Sequence, residues 1–378
     1  MTGSAYLDYN AGAPARPEVV AAMAEALARG GNPSSVHAAG RAARRCMEEA
    51  RAQVAALVGA PASGVVFTSG GTEANLLALR GTGRSRVLVS AVEHPSVREA
   101  VTAAETIPVD GNGVVDLAAL EAMLAADARP ALVSLMLANN ETGVIQPVAQ
   151  AARVARRFGA LVHCDAAQAA GRLPVSLAEL GIDLLTLSAH KLGGPAGNGA
   201  LVMADPDLPL AAVQPGGGQE RRRRGGTENL AGIVGFGVAA KLVADDAGSS
   251  ILEWTNFRDA LEAEALRRVP GAQVVGAAAR RLGNTSCLAL PGVAAEVQVM
   301  ALDLGGVMVS AGAACSSGKV AQSHVLAAMG LPAEVAGCAV RVSLGWGSRA
   351  EDVAKFLDAW ADLARRKGFE VRMAAEAA

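Results

Sequence analysis

A lysine between two short apolar runs is the first candidate for chemistry in this sequence. The runs 184–187 and 200–203 have the length and bounding residues of buried strands, and the glycine-rich turn between them presents His190 and Lys191. A lysine at the end of a buried strand is costly unless its charge is paired, its amine is neutral or the amine is used covalently. One covalent use is a Schiff base with an aldehyde cofactor. From these residues alone, a lysine on an exposed hairpin is the simpler interpretation, so other segments must decide.

A turn of small residues between a strand and a helix is a candidate anion site. The segment 67–75 reads as a strand, a glycine turn that includes Gly71, and a helix start that includes Thr72. Glycines let the backbone approach an anion, and N–H groups at a helix N-terminus can bind a phosphate. It is not a nucleotide-binding P-loop, because no Gly-Lys-Ser/Thr follows. An ordinary helix cap is the alternative, but Ser188 and the turn at Thr227 offer further hydroxyl groups.

Three more polar residues follow apolar runs, where strands are expected to end. Asp165 closes one run, and a carboxylate there can keep a pyridinium nitrogen protonated and so make the ring an electron sink. His94 follows another run and could stack on a planar ring and exchange protons. Asn140 follows a third. Each also has a simpler interpretation, as a helix cap, a loop histidine and a turn former respectively.

The cysteines differ in their surroundings. All five are widely separated and form no Cys-x-x-Cys pair, which argues against a disulfide framework or zinc site and favours a reducing compartment. Cys164 and Cys287 lie in apolar strand contexts, where inert packing is expected. Cys315 lies among small, polar and glycine residues near Lys319. An accessible cysteine beside positive charge suits a thiolate nucleophile, although these residues alone leave that role open.

Composition excludes several classes of protein. With 51% hydrophobic and 19% charged residues and a net charge of −2, the chain is expected to be globular and to bind neither nucleic acid nor an anionic membrane. The sequence begins without a basic, then apolar, signal segment and contains no apolar run long enough to span a bilayer, so the cytoplasm is expected. No metal site is expected, because no two of the candidate histidines are at metal-ligand spacing: His37, His94, His163 and His190.

Strand-like and helix-like segments alternate between about residues 60 and 240, which predicts an α/β fold around a largely parallel sheet. Ligands bind such sheets at the carboxyl ends of the strands, where the polar motifs lie. The predicted elements are strands at 65–68, 87–90, 132–137, 162–165 and 184–188, and helices at 73–79, 96–104, 148–158 and 228–244.

A break predicted at 245–250 separates this region from a smaller α+β domain. Its predicted elements are helices at 253–268 and 351–366 and strands near 273–275, 285–290, 307–310 and 340–344. We therefore predict a large domain over residues 16–245 and a small domain over 251–378 that carries the Cys315 loop. Residues 1–15 are predicted to pack with the small domain.

Taken together and in order, these motifs resemble the cysteine desulfurases, which belong to the class V branch of fold type I pyridoxal-phosphate (PLP) enzymes. The match covers nearly the whole chain, and the ordered set is far more specific than any one motif. It comprises 6–10 (YLDYN), 31–37 (GNPSSVH), 68–73 (TSGGTE), 93–95 (EHP), 139–143 (NNETG), 165–168 (DAAQ), 188–191 (SAHK), 225–227 (GGT), the Cys315 loop and 341–345 (RVSLG).

The resemblance implies a large, mostly parallel seven-stranded sheet, PLP as cofactor and a role for each matching residue. Lys191 matches the lysine that bonds to PLP, and Cys315 matches the nucleophile that accepts sulfur. The implied cofactor contacts are Asp165 at the pyridinium nitrogen, His94 on the ring, Asn140 and Gln168 at the phenolic oxygen, and Gly71, Thr72, Ser188, His190 and Thr227 at the phosphate. Arg341 matches the clamp for the substrate carboxylate, with Asn10 and Asn140 nearby. In the family Thr227 is donated by a second subunit, which implies a homodimer.

The implied reaction removes sulfur from L-cysteine, giving L-alanine and a persulfide on Cys315 for an acceptor in iron–sulfur cluster assembly or thiolation. The stretch from Cys315 to Gly330 has the length found in the group with a longer, mobile loop, which the resemblance links to handing sulfur to a partner protein. Trp346 and the run Ala11-Gly12-Ala13 depart from the usual pattern, which leaves the acceptor and the substrate entrance open. The alternatives are a selenocysteine lyase, another class V activity such as an aminotransferase, and a non-catalytic PLP-fold scaffold for sulfur delivery.

Overall fold

The computed structural model describes residues 3–312 and 323–372, arranged in strands and helices that alternate through the first half of the chain. The strands are β1 (Ala5–Tyr6), β2 (Val65–Thr68), β3 (Arg86–Ser90), β4 (Glu105–Ile107), β5 (Ala131–Met136), β6 (Leu161–Asp165), β7 (Leu184–Ser188), β8 (Gly199–Met203), β9 (Gln273–Val274), β10 (Thr285–Ala289), β11 (Val307–Met308), β12 (Ser310–Ala311) and β13 (Ala339–Ser343). The helices are α1 (Pro17–Arg29), α2 (Ala38–Leu57), α3 (Gly71–Gly81), α4 (Pro95–Arg98), α5 (Leu117–Ala126), α6 (Val148–Arg157), α7 (Leu177–Leu180), α8 (Leu230–Arg268), α9 (Ala295–Leu304), α10 (His324–Ala328), α11 (Ala333–Ala336) and α12 (Ala350–Arg366).

A seven-stranded sheet organises the first part of the molecule, in the order β2-β8-β7-β6-β5-β3-β4. Only β8 runs antiparallel to its neighbours β7 and β2, and the other pairs are parallel. Neighbouring side chains of β5 point to opposite faces, so Leu132 and Val133 belong to two different hydrophobic clusters. Burial on both faces explains why the strands are continuous apolar runs. The predicted α/β fold with a mostly parallel sheet is confirmed.

A smaller antiparallel sheet, β12-β13-β10-β9, forms the second part. The N-terminal strand β1 pairs in parallel with β11 in a separate two-stranded sheet. A separate core lies beneath, where the rings of Phe356 and Trp360 on α12 stack with centroids 6.0 Å apart. Separate cores support the predicted domain division, which we retain as a proposal.

The helix break predicted at 245–250 is wrong, because α8 continues from Leu230 to Arg268. Gly248 inside a helix costs only about 1 kcal/mol, which tertiary packing can offset. The first half of α8 packs in the core of the large sheet through Phe236, and the second half packs in the other core through Leu261. Its polar middle is exposed, and there Asp246 pairs with Arg16 at 2.8 Å.

Two smaller predictions also need correction. The helix predicted at 96–104 ends at Arg98. The chain then extends toward β4, where Glu105 pairs with Leu88 of β3 and its carboxylate contacts Arg86 at 2.5 Å. The single strand predicted at 307–310 is two strands, since β11 pairs with β1 whereas β12 pairs with β13. None of the helices in the described part of the chain has both the length and the apolar character needed to cross a membrane.

Candidate active site

A cavity of about 300 Å³ lies where the carboxyl ends of the large-sheet strands face the small sheet. This edge is where α/β sheets bind ligands, and the volume suits a small cofactor. The predicted site residues that line the cavity are Asn10, Gly71, Thr72, His94, Asn140, Asp165, Gln168, Ser188, His190, Lys191 and Arg341. Residues from widely separated stretches of the sequence therefore converge on one cavity.

Lys191 follows β7 in a short 3₁₀ turn over Ala189–Lys191. Its ammonium group donates hydrogen bonds to the backbone carbonyls of Asn10 and of Ala11, the latter at 2.9 Å. Burial lowers the pKa of Lys191 to about 7, helped by the positive charges of Arg172 and Arg341. A large fraction of this amine is therefore neutral near pH 7 and can act as a nucleophile or a base. The exposed-hairpin alternative does not hold.

Asp165, the last residue of β6, is 6% exposed and holds a fixed orientation. Its Oδ2 accepts a hydrogen bond from Asn75 Nδ2 at 2.8 Å, and its Oδ1 accepts one from the backbone N–H of Ala167 at 2.9 Å. The second bond shows that Asp165 also supports the turn after the strand. A carboxylate held in this way can face a positively charged ring nitrogen without reorganising.

His94 is the N-cap of α4 at the edge of the cavity. Its Nδ1 accepts a hydrogen bond from the backbone N–H of Ser96 at 3.1 Å, so the neutral ring carries its proton on Nε2. Burial lowers the pKa of His94, while the charge of Asp165 opposes that shift. The ring is thus a neutral, oriented group at pH 7, suited to stack on a flat ligand.

The first turn of α3 and the end of β7 form one end of the cavity. Gly71 lies so close to Ser188 that an added Cβ would be 3.5 Å from the serine Cβ. Ser188 Oγ lies 3.1 Å from Nδ1 of His190. The first N–H groups of a helix have no partner within it, so this end offers N–H and O–H donors together with a helix dipole. Such a donor set fits a phosphate.

A second group of polar side chains links the cavity to the N-terminal segment. The Asn10 side chain is 1% exposed and contacts protein on all sides, with Nδ2 donating to the carbonyl of Asn140 at 3.1 Å and to Thr285 Oγ1 at 3.0 Å. Gln168 Nε2 donates to the Asn10 carbonyl at 2.9 Å, and Gln168 Oε1 accepts from Arg172. Asn10 lines the cavity with most of its polar atoms already hydrogen-bonded to protein, and its predicted substrate role stays a prediction.

Arg341 extends from β13 on the small-sheet side. Its Nη2 pairs with Asp8 Oδ1 at 2.7 Å, and its Nη1 donates to the Asn140 carbonyl at 3.1 Å. Its buried Nε has no hydrogen-bond partner among the described residues. A buried guanidinium with an unused N–H beside a cavity is well suited to bind a carboxylate.

One predicted site residue among the described residues is not in this cavity. Thr227 is exposed and does not line it. Its loop is nevertheless held firmly, because Arg224 pairs with Glu73 at 2.8 Å and the buried carboxylate of Glu220 pairs with Arg51 at 2.7 Å. Cys315 lies outside the described residues.

The remaining histidines do not form a metal centre. His163 is fully buried between Ser134 Oγ at 2.8 Å and Thr186 Oγ1 at 3.0 Å, and burial lowers its pKa to about 4. It is a neutral core residue. Over residues 3–312 and 323–372, no cluster of three or more His, Cys, Asp or Glu side chains could hold a metal ion.

Sequence reasoning missed several residues that support the site. Asn75 orients Asp165, Arg172 orients Gln168, and Asp8 orients Arg341. Glu93 and Glu141 are buried acids of the 93–95 and 139–143 motifs. Both carboxyl groups have a pKa raised by burial. Asp8, Glu93 and Glu141 lie inside the family-like motifs 6–10, 93–95 and 139–143, so the sequence could have pointed to them. Nothing in the sequence around Arg172 marked that residue.

Comparison with known proteins identifies the family. The model for "Aminotransferase class-V" matches residues 5–356. The chain is 45% identical to a "Cysteine desulfurase" of Cereibacter sphaeroides over 93% of this chain and 94% of that protein. It is 39% identical to a "Cysteine desulfurase IscS" of Dictyoglomus turgidum over 95% of this chain and 94% of that protein.

The fold agrees with that result. The X-ray structure of a NifS-like protein from Rickettsia africae superposes with a TM-score of 0.90 at 33% identity, covering 96% of this chain and 99% of that one. A family model that spans most of the chain, relatives of this identity and a matching fold all point the same way. The chain therefore belongs to the class V aminotransferase family and, within it, groups with the cysteine desulfurases.

Proposed function

We propose that this protein is a PLP-dependent cysteine desulfurase that converts L-cysteine to L-alanine and passes the sulfur to Cys315. The observation that carries the proposal is the Lys191 amine, in a cavity that is also lined by Asp165 and by Arg341, whose guanidinium has an unused N–H. A lysine with a pKa lowered to about 7 by burial is prepared for covalent chemistry with an aldehyde. The names of the relatives support the same activity.

The residues present fit PLP. The donors at the start of α3, with Ser188 and His190, suit its phosphate, Asp165 suits its ring nitrogen and His94 suits its ring face. Lys191 would hold the cofactor covalently, and Asn140 and Gln168 would lie at its phenolic oxygen. When bound, PLP supplies an electron sink for negative charge that develops at the α-carbon of the substrate.

Lys191 also serves as the base in this proposal. With its amine free, Nζ would take the α-proton of cysteine and return a proton later. The positive charges of Arg172 and Arg341 keep the amine from holding a proton too tightly. The carbonyls of Asn10 and Ala11 orient it.

Arg341 binds the substrate carboxylate through its free edge. Asp8 and the Asn140 carbonyl already hold the two terminal nitrogens, so the guanidinium plane is fixed before substrate arrives. This preorganisation reduces the entropy lost on binding. The carboxylate then sets the position of the cysteine Cα relative to Lys191.

Cys315 accepts the sulfur. Its thiolate attacks the substrate sulfur, an S–S bond forms as the C–S bond breaks, and the bonding electron pair stays with the carbon, which takes up a proton. The net change is Cys315–SH plus L-cysteine giving Cys315–S–SH plus L-alanine, without an external oxidant or reductant. The persulfide can then be attacked by the thiol of an acceptor protein.

We further propose a homodimer in which Thr227 completes the phosphate site of the other subunit. Its exposure, on a loop held rigidly by two ion pairs, supports this role. We also propose a cytoplasmic location, because the four described cysteines form no disulfide with one another.

Mass spectrometry after incubation with L-cysteine tests the proposal. We expect a gain of one sulfur atom on the peptide containing Cys315, reversed by a thiol reductant, and L-alanine in equal amount. Cys315→Ala should retain PLP and lose the persulfide. The matched control Cys46→Ala changes a partly exposed helical cysteine and should behave like the unmodified protein.

Three results would contradict the assignment. Release of sulfide by Cys315→Ala at the unmodified rate would show that Cys315 is not the nucleophile. A turnover of selenocysteine far above that of cysteine would favour the selenocysteine lyase alternative. Absence of both turnover and PLP would favour the scaffold alternative.

A further inference from the structure

The described residues on either side of the Cys315 segment, defined as residues 313–322, converge on one buried carboxylate, that of Glu141. Ser323, which follows the segment, donates its hydroxyl hydrogen to Glu141 Oε2 at 2.6 Å. Gly312, which precedes it, lies so close that an added Cβ would be 2.5 Å from the same oxygen. Both ends of the segment therefore meet at Glu141.

Glu141 is itself held in place. It is 2% exposed and lies in the turn after β5, where Asn139 Oδ1 accepts the backbone N–H groups of Glu141 at 2.9 Å and of Thr142 at 3.0 Å. Asn139 Nδ2 in turn donates to the carbonyl of Val92 at 3.1 Å. Both Glu141 and the preceding residue, Asn140, line the cavity. The carboxylate is thus a rigid point between the cavity and the ends of the segment.

Further contacts hold each end of the segment near residues that line the cavity. Before the segment, Ser310 donates to Asp8 Oδ2 at 2.8 Å, and Asp8 also binds Arg341. After the segment, His324 Nε2 lies 2.9 Å from the carbonyl of Glu93, next to the candidate ring-stacking residue. Ser323 also accepts the backbone N–H of Leu326 at 3.1 Å and so starts α10. Glu141 contacts both ends, through Ser323 and Gly312.

We infer that Glu141 is a positioning residue for sulfur transfer, which sets where the two ends of the Cys315 segment stand relative to the cavity. This inference rests on the proposed function of Cys315. Its physical reason is geometric, because a thiolate must meet the substrate sulfur at close range and a displacement of about 1 Å can cost on the order of a hundredfold in rate. The role predicts a loss confined to the step that uses Cys315, since Lys191 and Asp165 are held by other contacts.

Two assays on the PLP-loaded enzyme separate the steps. Exchange of the α-hydrogen of L-alanine with solvent deuterium measures the proton transfer that Lys191 performs when PLP is bound. This exchange does not need a thiol. Single-turnover persulfide formation, followed by intact mass, also needs Cys315. We expect Glu141→Ala to slow persulfide formation on the order of a hundredfold while exchange stays within about twofold. Glu141→Gln keeps an oxygen that can accept the Ser323 hydroxyl and should recover most of the rate.

Controls make the result specific. Glu334→Ala removes an exposed carboxylate from α11 and should change neither rate. Ser323→Ala removes the hydrogen-bond donor at one end and should slow persulfide formation less than Glu141→Ala does. This second variant keeps the test valid if Glu141→Ala fails to fold. Persulfide formation at the unmodified rate in both variants would overturn the inference, as would an equal fall in exchange and persulfide formation.

A double substitution sharpens the geometric argument. Gly312 does not need a positive φ, so the obstacle to Gly312→Ala is the Glu141 oxygen 2.5 Å from the new methyl group. We expect Gly312→Ala to slow persulfide formation in the unmodified protein and to add nothing to Glu141→Ala. Additive losses would contradict a shared contact. If the unmodified enzyme formed no persulfide on Cys315 at all, the proposed function would fail first, which distinguishes the two outcomes.

Discussion

The two walls of the cavity are built by different means. The large-sheet wall carries Asp165 and Lys191 at the carboxyl ends of neighbouring strands that are buried on both faces. The small-sheet wall carries Arg341, whose position depends on Asp8 and on the Asn140 carbonyl, both distant in sequence. Strand ends place the groups of the first wall and distant residues only orient them, whereas no strand end places Arg341 at the cavity and distant polar contacts fix its guanidinium.

This difference separates two kinds of function. Asp165 and Lys191 on the large-sheet wall are expected to hold the cofactor and move protons, so damage to either should affect every step. Arg341 on the small-sheet wall is expected to bind substrate, so damage there should leave the cofactor bound. Substitutions on each wall can test whether the two separate in this way.

Lys191→Ala should have the largest effect. Without its amine, the large-sheet wall has neither a covalent attachment point nor a base, so we expect no detectable turnover of L-cysteine. Borohydride reduction followed by peptide mapping should place PLP on the Lys191 peptide of the unmodified protein and on no peptide of the variant. Label on another lysine would overturn the assignment of this wall.

Asp165→Asn should lower kcat by about a hundredfold or more, because it removes the negative charge that stabilises a protonated ring nitrogen. The amide can still accept one of the two hydrogen bonds, so PLP should remain bound, as measured by absorbance. Asp183→Asn is the matched control. Its Oδ2 accepts the Val162 N–H at 2.7 Å at the opposite end of the same strands, and it does not line the cavity. Equal losses in both variants would indicate a structural effect only.

Arg341→Gln tests the small-sheet wall. Loss of a charged hydrogen-bond donor to the substrate carboxylate should raise KM for L-cysteine by about tenfold to a hundredfold. The PLP content should not change. Arg281→Gln, which removes a buried arginine paired with Glu262 at 2.6 Å outside the cavity, should keep KM unchanged. Loss of PLP in Arg341→Gln would show that the two walls are not functionally separate.

The smallest expected effect concerns pH. Because the pKa of Lys191 is lowered to about 7, attachment of PLP to the apoprotein should speed up as pH rises through 7 and level off above it. Arg172→Gln removes a positive charge that keeps this pKa low, so it should move the rise to higher pH and slow attachment at pH 7 several-fold. Stopped-flow absorbance measures the rate. Arg156→Gln, on an exposed arginine, should leave the profile unchanged, and an unshifted Arg172→Gln profile would contradict this electrostatic effect.

Much of the large-sheet wall was predictable from sequence. Strands buried on both faces leave apolar runs with polar ends, and this local pattern is enough to place Asp165, Ser188 and Lys191 at one edge of the sheet. The helix break at 245–250 was predicted wrongly, because local polar residues and a glycine suggest a turn, while packing of both halves of α8 against two cores favours a continuous helix.

The sequence by itself determined which chemistry is available: an amine, a carboxylate, an imidazole and a guanidinium, each in a motif of recognisable spacing. Only the tertiary structure decided which of them are desolvated, which neighbours orient them, and that Glu141 joins the two ends of the Cys315 segment. The reason is physical. Strand and turn formation depends on neighbouring residues, whereas burial, pKa and long-range hydrogen bonds depend on groups that meet only when the chain has folded.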